Sequence, residues 1–270
     1  MTSTCYLCGP ADARVIMTID EWRILKCPIC GLGWLDHRPE SASEELYGRE
    51  YFSQHRIMTA ETDEELAAKT TSQGSRVRFM RRYKGTGSLL DIGCASGHFL
   101  ARARESGYVV QGLETSEWAV QEGRKRLGLD IEHGTVETAG FEKASFDLVT
   151  MWHVVEHLDD PIQSLSTVLG WLKQEGILVI ECPNIGSFDA AKYGPKWSGW
   201  SMPYHLWHFA PRSLSAVLDR AGFDVMRIQT TPSQWLRERL RRIPLLGLAR
   251  NLICPLFTGR DMRLVARPKA

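Results

Sequence analysis

The sequence lacks any long apolar run of the kind that crosses a membrane. Its most apolar long window, IPLLGLARNLICPLF (243–257), is broken by Arg250, Asn251 and Pro255 and is too short to span a bilayer. The N-terminus, MTSTCYLCGP, also lacks the basic and then apolar pattern of a signal peptide. These absences predict a cytoplasmic protein.

An excess of charge of either sign is also missing. The 270 residues hold 33 Lys and Arg against 32 Asp and Glu, a formal net charge of +1. A near-neutral chain gives no global electrostatic reason to expect a nucleic-acid partner. The hydrophobic content of 43% and the charged content of 24% are ordinary for a soluble globular protein, and we find no internal repeat.

The cysteines that are present are unevenly placed. Cys5 and Cys8 form one C-x2-C pair, Cys27 and Cys30 form a second, and glycines follow both pairs. In a reducing compartment such pairs are typical of metal sites, and four thiolates supply the tetrahedral set that zinc prefers. We predict a structural zinc ribbon over residues 1–40; the alternative is a redox C-x2-C.

Beyond residue 40 the pattern changes twice. Residues 41–84 are amphipathic, and EELYGREYFSQ and TDEELAAKTTSQGSRVRFMRRYKG predict a helical linker or lid. From 85 to 270 apolar strands alternate with helices, among them SLLDIG, FDLVTMW and GILVIECP. This alternation predicts an α/β domain with a mostly parallel sheet.

The stretch LLDIGCASGHFL (89–100) turns tightly between a predicted strand and a predicted helix. Gly93 and Gly97 let the backbone turn and approach a ligand, and Ala95 is tolerated there provided that its φ is negative. Glu114 ends the next predicted strand, where an acid can accept two hydrogen bonds from vicinal ribose hydroxyls. Neither G-x-G-x-x-G nor G-x-x-x-x-G-K-[ST] is present, so we predict a nucleoside pocket that is neither a dinucleotide nor a triphosphate site.

LLDIGCASGHFL, GLETSEWAV, FDLVTMWHVVEHLDDP and GILVIECPN occur in an order that resembles class I S-adenosylmethionine-dependent methyltransferases, most of all those of quinone and sugar pathways. The resemblance covers about residues 75–268. It implies a Rossmann-like seven-stranded, mostly parallel sheet with an antiparallel last strand. It also implies a cofactor site whose residues are Asp91, Gly93, Cys94, Gly97, Glu114, Thr115, Thr135, Val136, Trp152 and His153.

The segment SFDAAKYGPKWSGWSMPYHLWHF (187–209) follows the fifth predicted strand, and therefore lies on the cofactor side of the sheet. It is rich in aromatic residues, which predicts a wall for a planar, isoprenoid or sugar ring. His205 and His208 share a face if the segment is helical, and we expect this pair to contain the base that deprotonates a hydroxyl acceptor. His153 and then His157 are the next candidates. We expect no second metal, because no nearby cysteine or carboxylate completes a site.

Residues 231–260 precede the last predicted strand and carry six arginines against one glutamate. Apolar residues alternate with them, as on a helix at an anionic surface, which suggests a peripheral membrane contact. A lid helix or an oligomer contact is the interpretation that we favour. The sequence predicts no oligomeric state.

The N-terminal module, CYLCG…CPICGLGWLDHRPE…LYGREYF, resembles modules fused to methyltransferases of sugar, capsule and natural-product pathways. Together the two resemblances imply methyl transfer to a small-molecule, glycan or lipid-linked acceptor, with oxygen favoured. The alternatives are an rRNA or tRNA methyltransferase with a zinc module and a cofactor-binding protein without catalysis.

Overall fold

The structure is a computed structural model, and it describes residues 3–38, 62–241 and 251–269. The predicted helix over EELYGREYFSQ lies outside the described residues, as does part of the 231–260 segment. In the part of the chain that is described, no helix combines the length and the apolar character needed to cross a membrane.

The N-terminal module is built from short strands. β1 (Ser3–Cys5) and β2 (Gly9–Ala11) form a hairpin, and β3 (Arg14–Ile19), β4 (Trp22–Lys26) and β5 (Gly33–Leu35) form an antiparallel sheet. The fourth strand of that sheet is β11 (Trp207–His208), which comes from the distant aromatic segment and pairs with β5. The module is therefore joined to the rest of the chain by backbone hydrogen bonds.

Two helices precede the large sheet, α1 (Asp63–Ser72) and α2 (Gly74–Met80). The hydroxyl of Thr62 accepts a hydrogen bond from Glu65 N and caps α1. Val77, Phe79 and Met80 of α2 are buried, as their apolar spacing predicts. They pack on one face of the sheet, which brings the start of α2 close to the ends of the strands.

The large sheet has seven strands. They are β6 (Gly87–Ile92), β7 (Tyr108–Glu114), β8 (Ile131–His133), β9 (Phe146–Trp152), β10 (Leu172–Pro183), β12 (Phe223–Pro232) and β13 (Thr258–Pro268). Their order is β12-β13-β10-β9-β6-β7-β8, and β13 is antiparallel to both of its neighbours. The pairs among β10, β9, β6, β7 and β8 are parallel. The predicted fold class is confirmed.

Helices cover both faces of this sheet: α3 (His98–Glu105), α4 (Glu117–Leu127), α5 (Pro161–Trp171), α6 (Phe188–Tyr193), α7 (Pro211–Arg220) and α8 (Gln234–Arg241). Leu148 and Val149 are both fully buried, but they belong to core clusters on opposite faces. Ser116 caps α4, and Asp160 followed by Pro161 opens α5, as the sequence predicts.

Candidate active site

In the turn after β6, every second residue from Gly93 to Gly97 has a positive φ, the left-handed conformation. Gly93 has a φ of +66°, Ala95 of +49° and Gly97 of +81°. The expectation of a negative φ at Ala95 is wrong, and for alanine the left-handed conformation costs about 1–2 kcal/mol. The turn is nevertheless held in place, because Ala95 N donates a 2.8 Å hydrogen bond to Glu114 Oε2.

Glu114 ends β7 and is buried, with 6% of its surface exposed. Its Oε1 accepts hydrogen bonds from Ser116 N at 3.0 Å and from the Thr115 hydroxyl at 3.3 Å. Burial raises the pKa of this carboxyl, and these hydrogen bonds oppose the shift. A carboxylate has about four acceptor positions, so three protein donors leave one position on Oε2 for a ligand.

A cavity of about 410 Å³ lies beyond the carboxyl ends of β6, β7, β9 and β10. This is where α/β folds of this type bind their ligands. The residues of the predicted site that line it are Gly93, Glu114, Thr115, Thr135, Val136, Trp152, His153, His157 and His205. Their cofactor and catalytic roles remain predictions, but the fold brings them together around one space.

Four other predicted site residues do not line this cavity. Asp91 lies behind it, where its Oδ1 accepts a 2.6 Å hydrogen bond from the Thr150 hydroxyl and burial raises its pKa to about 7. Cys94 is buried in the core beside α3, and Gly97 is the N-cap residue of that helix. His208 is buried in β11.

His153 follows β9, which is separated from β7 by β6, and it lies between two acids. Its Nδ1 lies 3.3 Å from Glu156 Oε1 and its Nε2 lies 3.4 Å from Glu181 Oε1. Burial disfavours the imidazolium, but the two carboxylates raise the pKa of His153 to about 9. Arg76 of α2 donates to Glu181 at 2.9 Å, and Arg263 of β13 donates to its other oxygen. Despite burial, these partners hold the pKa of Glu181 well below its usual range.

His157 and His205 lie beside each other near His153. His157 is in the loop after β9, and His205 is in the loop before β11. Their rings meet edge to face with centroids 4.7 Å apart. Burial lowers the pKa of both imidazoles, and for His205 the neighbouring His157 and His208 add to the shift. Both rings are therefore neutral at neutral pH.

Comparison with known proteins identifies the family of this fold and cavity. The family described as "Methyltransferase domain" matches residues 58–228, which is more than half of the chain. The chain belongs to the methyltransferase domain family. The resemblance seen in the signature segments is confirmed at the level of family and fold.

Individual relatives of this methyltransferase chain are distant. A probable S-adenosylmethionine-dependent methyltransferase of Mycolicibacterium smegmatis is 29% identical over 138 residues, 51% of this chain and 52% of that protein. A ubiquinone biosynthesis O-methyltransferase of Roseobacter denitrificans is 28% identical over 185 residues, 62% of this chain and 70% of that protein. The chain thus spans about half the length of the first relative.

Solved methyltransferase structures share the fold at lower identity. One from Archaeoglobus fulgidus aligns with a TM-score of 0.59 at 21% identity, over 81% of this chain and 99% of its own. Magnesium protoporphyrin IX methyltransferase from Synechocystis aligns with a TM-score of 0.58 at 14% identity, over 84% of this chain and 98% of its own. At these identities the likeness establishes the fold alone.

The aromatic segment of this methyltransferase chain does not form the predicted wall. Trp197 and Trp200 are buried against Ile24 of the N-terminal module, and the residues of the segment that line the cavity are Ser198, Gly199, Ser201 and His205. The segment is also not helical between His205 and His208, because β11 begins at Trp207. The idea that the two histidines share a helical face is therefore wrong, and only His205 of the two lines the cavity.

Several residues that line the methyltransferase cavity were missed from the sequence. Gln73 is the N-cap residue of α2 and Arg76 lies in that helix, Glu137 follows β8, and Arg260 lies in β13. In the sequence, an arginine or glutamine that lines a cavity looks the same as one on the exposed face of an amphipathic helix. Glu181 gave a usable signal, because it is an acid inside the apolar run GILVIECP.

The four cysteines of the N-terminal module meet at one point. Their sulfurs all lie within 4.8 Å of one another, and Cys5 Sγ is 3.6 Å from Cys30 Sγ. Burial disfavours the Cys27 thiolate, but backbone N–H groups of Cys30 and Ile29 lower its pKa to about 7. Four converging sulfurs with N–H donors directed at a thiolate fit a zinc ion.

Proposed function

We propose that the chain transfers a methyl group from S-adenosylmethionine to an oxygen of a small-molecule or glycan acceptor. The observation that carries this proposal is one cavity lined by a buried acid at the end of β7 and by three imidazoles. The family match and the names of the relatives support the donor.

Within this cavity Glu114 is placed to accept a hydrogen bond from the cofactor ribose. Trp152, which ends β9, and His153, which follows it, both line the cavity, and we expect them on the sulfonium side of the cofactor. Transfer is a direct displacement in which the acceptor oxygen bonds to the methyl carbon, the carbon–sulfur bond breaks, and S-adenosylhomocysteine leaves. The sulfonium is already activated, so the main contribution of the protein is alignment.

An oxygen acceptor also has to lose its proton, and the imidazole cluster supports that step. His157 and His205, which are neutral at neutral pH, line the cavity beside the protonated His153, so they are the two imidazoles able to accept the proton. Histidine is the side chain best suited to proton transfer near neutral pH. The relatives named as ubiquinone biosynthesis O-methyltransferases support oxygen over nitrogen or carbon. The near-zero net charge supports a small acceptor over a nucleic acid.

We further propose that Cys5, Cys8, Cys27 and Cys30 bind one structural zinc ion. With all four positions taken by protein sulfur, no position remains for water or substrate, so the ion stabilises the module. The small core of the N-terminal module supports this role. Strands β1 to β5 bury few residues, so the module has little apolar packing to hold it together without the ion.

Calorimetric titration with S-adenosylmethionine, followed by a screen of hydroxyl compounds with methyl-labelled cofactor, tests the function. We expect saturable cofactor binding and label recovered in a hydroxyl acceptor. With that acceptor, His205→Asn should lower the single-turnover rate about 100- to 10,000-fold, the range for a lost acid–base group. His208→Asn, which removes an imidazole outside the cavity, should have a much smaller effect. A folded protein that binds no cofactor would refute the proposal.

A further inference from the structure

Three side chains of metal-ligand type, none of them a cysteine, meet at one point beside the cavity. The ligand atoms of Glu156, His157 and His205 all lie within 4.8 Å of one another. The expectation that no carboxylate lies near the histidines is therefore wrong. The chain folds back so that Leu206 N and Trp207 N both donate to the Glu156 carbonyl, at 2.9 and 3.1 Å. That contact places His205 beside Glu156.

The two imidazoles are oriented by backbone carbonyls. His157 Nδ1 lies 2.9 Å from Tyr204 O, and His205 Nδ1 lies 2.9 Å from Gly199 O. A carbonyl oxygen only accepts, so each Nδ1 carries the hydrogen and each Nε2 carries the lone pair. Metal-binding histidines in proteins show this arrangement, in which a carbonyl or carboxylate fixes the tautomer of the ligand ring.

The carboxylate of Glu156 has few partners that offset the cost of its burial. Glu156 is 1% exposed, and within the described part of the chain neither of its oxygens accepts a hydrogen bond. His153 Nδ1, 3.3 Å from Oε1, supplies one nearby charge, while Oε2 has no comparable neighbour among the same residues. A buried carboxylate normally has partners for both oxygens. The site therefore has room for another positive group on Glu156.

We propose that Glu156, His157 and His205 bind a divalent metal ion of the zinc class. Two imidazole nitrogens and one carboxylate form a ligand set used by catalytic zinc and by other first-row divalent ions, with positions left open for substrate. His205 Nε2 lies 4.0 Å from Glu156 Oε1. Metal–ligand bonds of about 2.1 Å put two tetrahedral ligands about 3.4 Å apart, so the pair needs to close by only about 0.6 Å.

The ion has a specific role at this position, and that role rests on the proposed function. His157 and His205 line the cavity, so the open positions face the space assigned to the acceptor. In this refinement His157 and His205 hold the ion and do not themselves take the proton. A divalent ion there lowers the pKa of an acceptor hydroxyl, and the released proton passes to solvent before the oxygen attacks the methyl carbon. Binding of the ion itself does not depend on methyl transfer.

The test is a titration of the full-length chain with Co²⁺. The chain is first purified with zinc in the cysteine site, and the measured quantity is the amount of Co²⁺ that it then binds. The wild-type chain should bind one Co²⁺ whose visible spectrum lacks thiolate-to-cobalt charge transfer. Glu156→Gln and His205→Asn should each weaken that binding at least about 100-fold, since removing a ligand costs more than the 10- to 100-fold of a supporting residue. The matched control is His37→Asn, which removes an exposed imidazole from the N-terminal module and should leave Co²⁺ binding unchanged.

Circular dichroism and cofactor titration of each variant establish that it is folded, and Glu156→Gln preserves the shape of the side chain. A wild-type chain that binds no Co²⁺ outside the cysteines, or folded variants that bind it as the wild type does, would overturn the inference. Methyl transfer to a hydroxyl at the full rate without the second ion would overturn the role of the ion in activating the acceptor and would leave the proposed function standing. Co²⁺ binding in a protein that takes up no cofactor would instead contradict the proposed function.

Discussion

Replacing Glu114 by glutamine is the most informative single change at the cofactor end of the cavity. The carboxylate already accepts from Ser116 N, from the Thr115 hydroxyl and from Ala95 N. The Oε2 atom accepts only from Ala95 N, and we predict that the cofactor ribose donates at least one further charge-assisted hydrogen bond to it. The amide of glutamine has one oxygen fewer, and its NH₂ group would face Ala95 N–H or the ribose hydroxyl.

The expected loss follows from that count. One hydrogen bond to a charged group contributes about 1.5–3 kcal/mol. At about 1.4 kcal/mol for each factor of ten, Glu114→Gln should weaken cofactor binding about 10- to 150-fold. Glu114→Ala should lose at least as much, and it should also destabilise the protein because the Ala95 and Ser116 amides lose their acceptor.

Calorimetric titration with S-adenosylmethionine measures the loss, and urea unfolding of the same variants separates a binding effect from a folding defect. Glu132→Gln is the matched control, because it removes the same charge from the neighbouring strand β8 without lining the cavity. If folded Glu114→Gln binds the cofactor as tightly as the wild type, Glu114 does not contact it and the assignment of the ribose end is wrong.

Three further predictions concern other parts of the molecule. Cys27→Ser should lose the structural zinc, measured by elemental analysis, and should lower the melting temperature; unchanged zinc content would contradict the four-cysteine site. Ala95→Gly should raise the free energy of unfolding by up to about 1 kcal/mol in urea titration, because relief of left-handed backbone exceeds the added entropy cost; a loss of stability would contradict this. The 231–260 segment should act as part of the cavity wall, since Arg260 lines the cavity and Asp189 accepts from Gln234 N at 2.8 Å, so the protein should not sediment with anionic vesicles. Sedimentation at low salt that disappears at high salt would favour the membrane contact, with exposed Leu252 and Leu256 as the surface involved.

Features that depend on neighbours in the sequence could be predicted. The cap at Ser116, the start of α5 at Asp160 and Pro161, and the apolar strands are all local, and each was found where expected. The order of the signature segments was enough to give the sheet and its antiparallel last strand.

Features that depend on distant segments could not be predicted. The pairing of Trp207 with Trp34 joins residues far apart in the chain, and no local pattern indicates it. The same applies to Glu156 and His205, whose approach depends on a loop that folds back onto the Glu156 carbonyl. The positive φ of Ala95 accompanies a hydrogen bond from Ala95 N to Glu114, nineteen residues later, and no pattern around Ala95 indicates that partner.

The sheet shared by β5 and β11 has a consequence for how such chains diverge. Leu206 donates to the Glu156 carbonyl and accepts from Leu35 N at 3.0 Å, so the loop that carries His205 is held from both sides. A gene fusion that exchanged the first 38 residues for an unrelated module would leave β11 as an unpaired edge and release that loop. The backbone of the N-terminal module is therefore part of what positions His205, although none of its described residues lines the cavity.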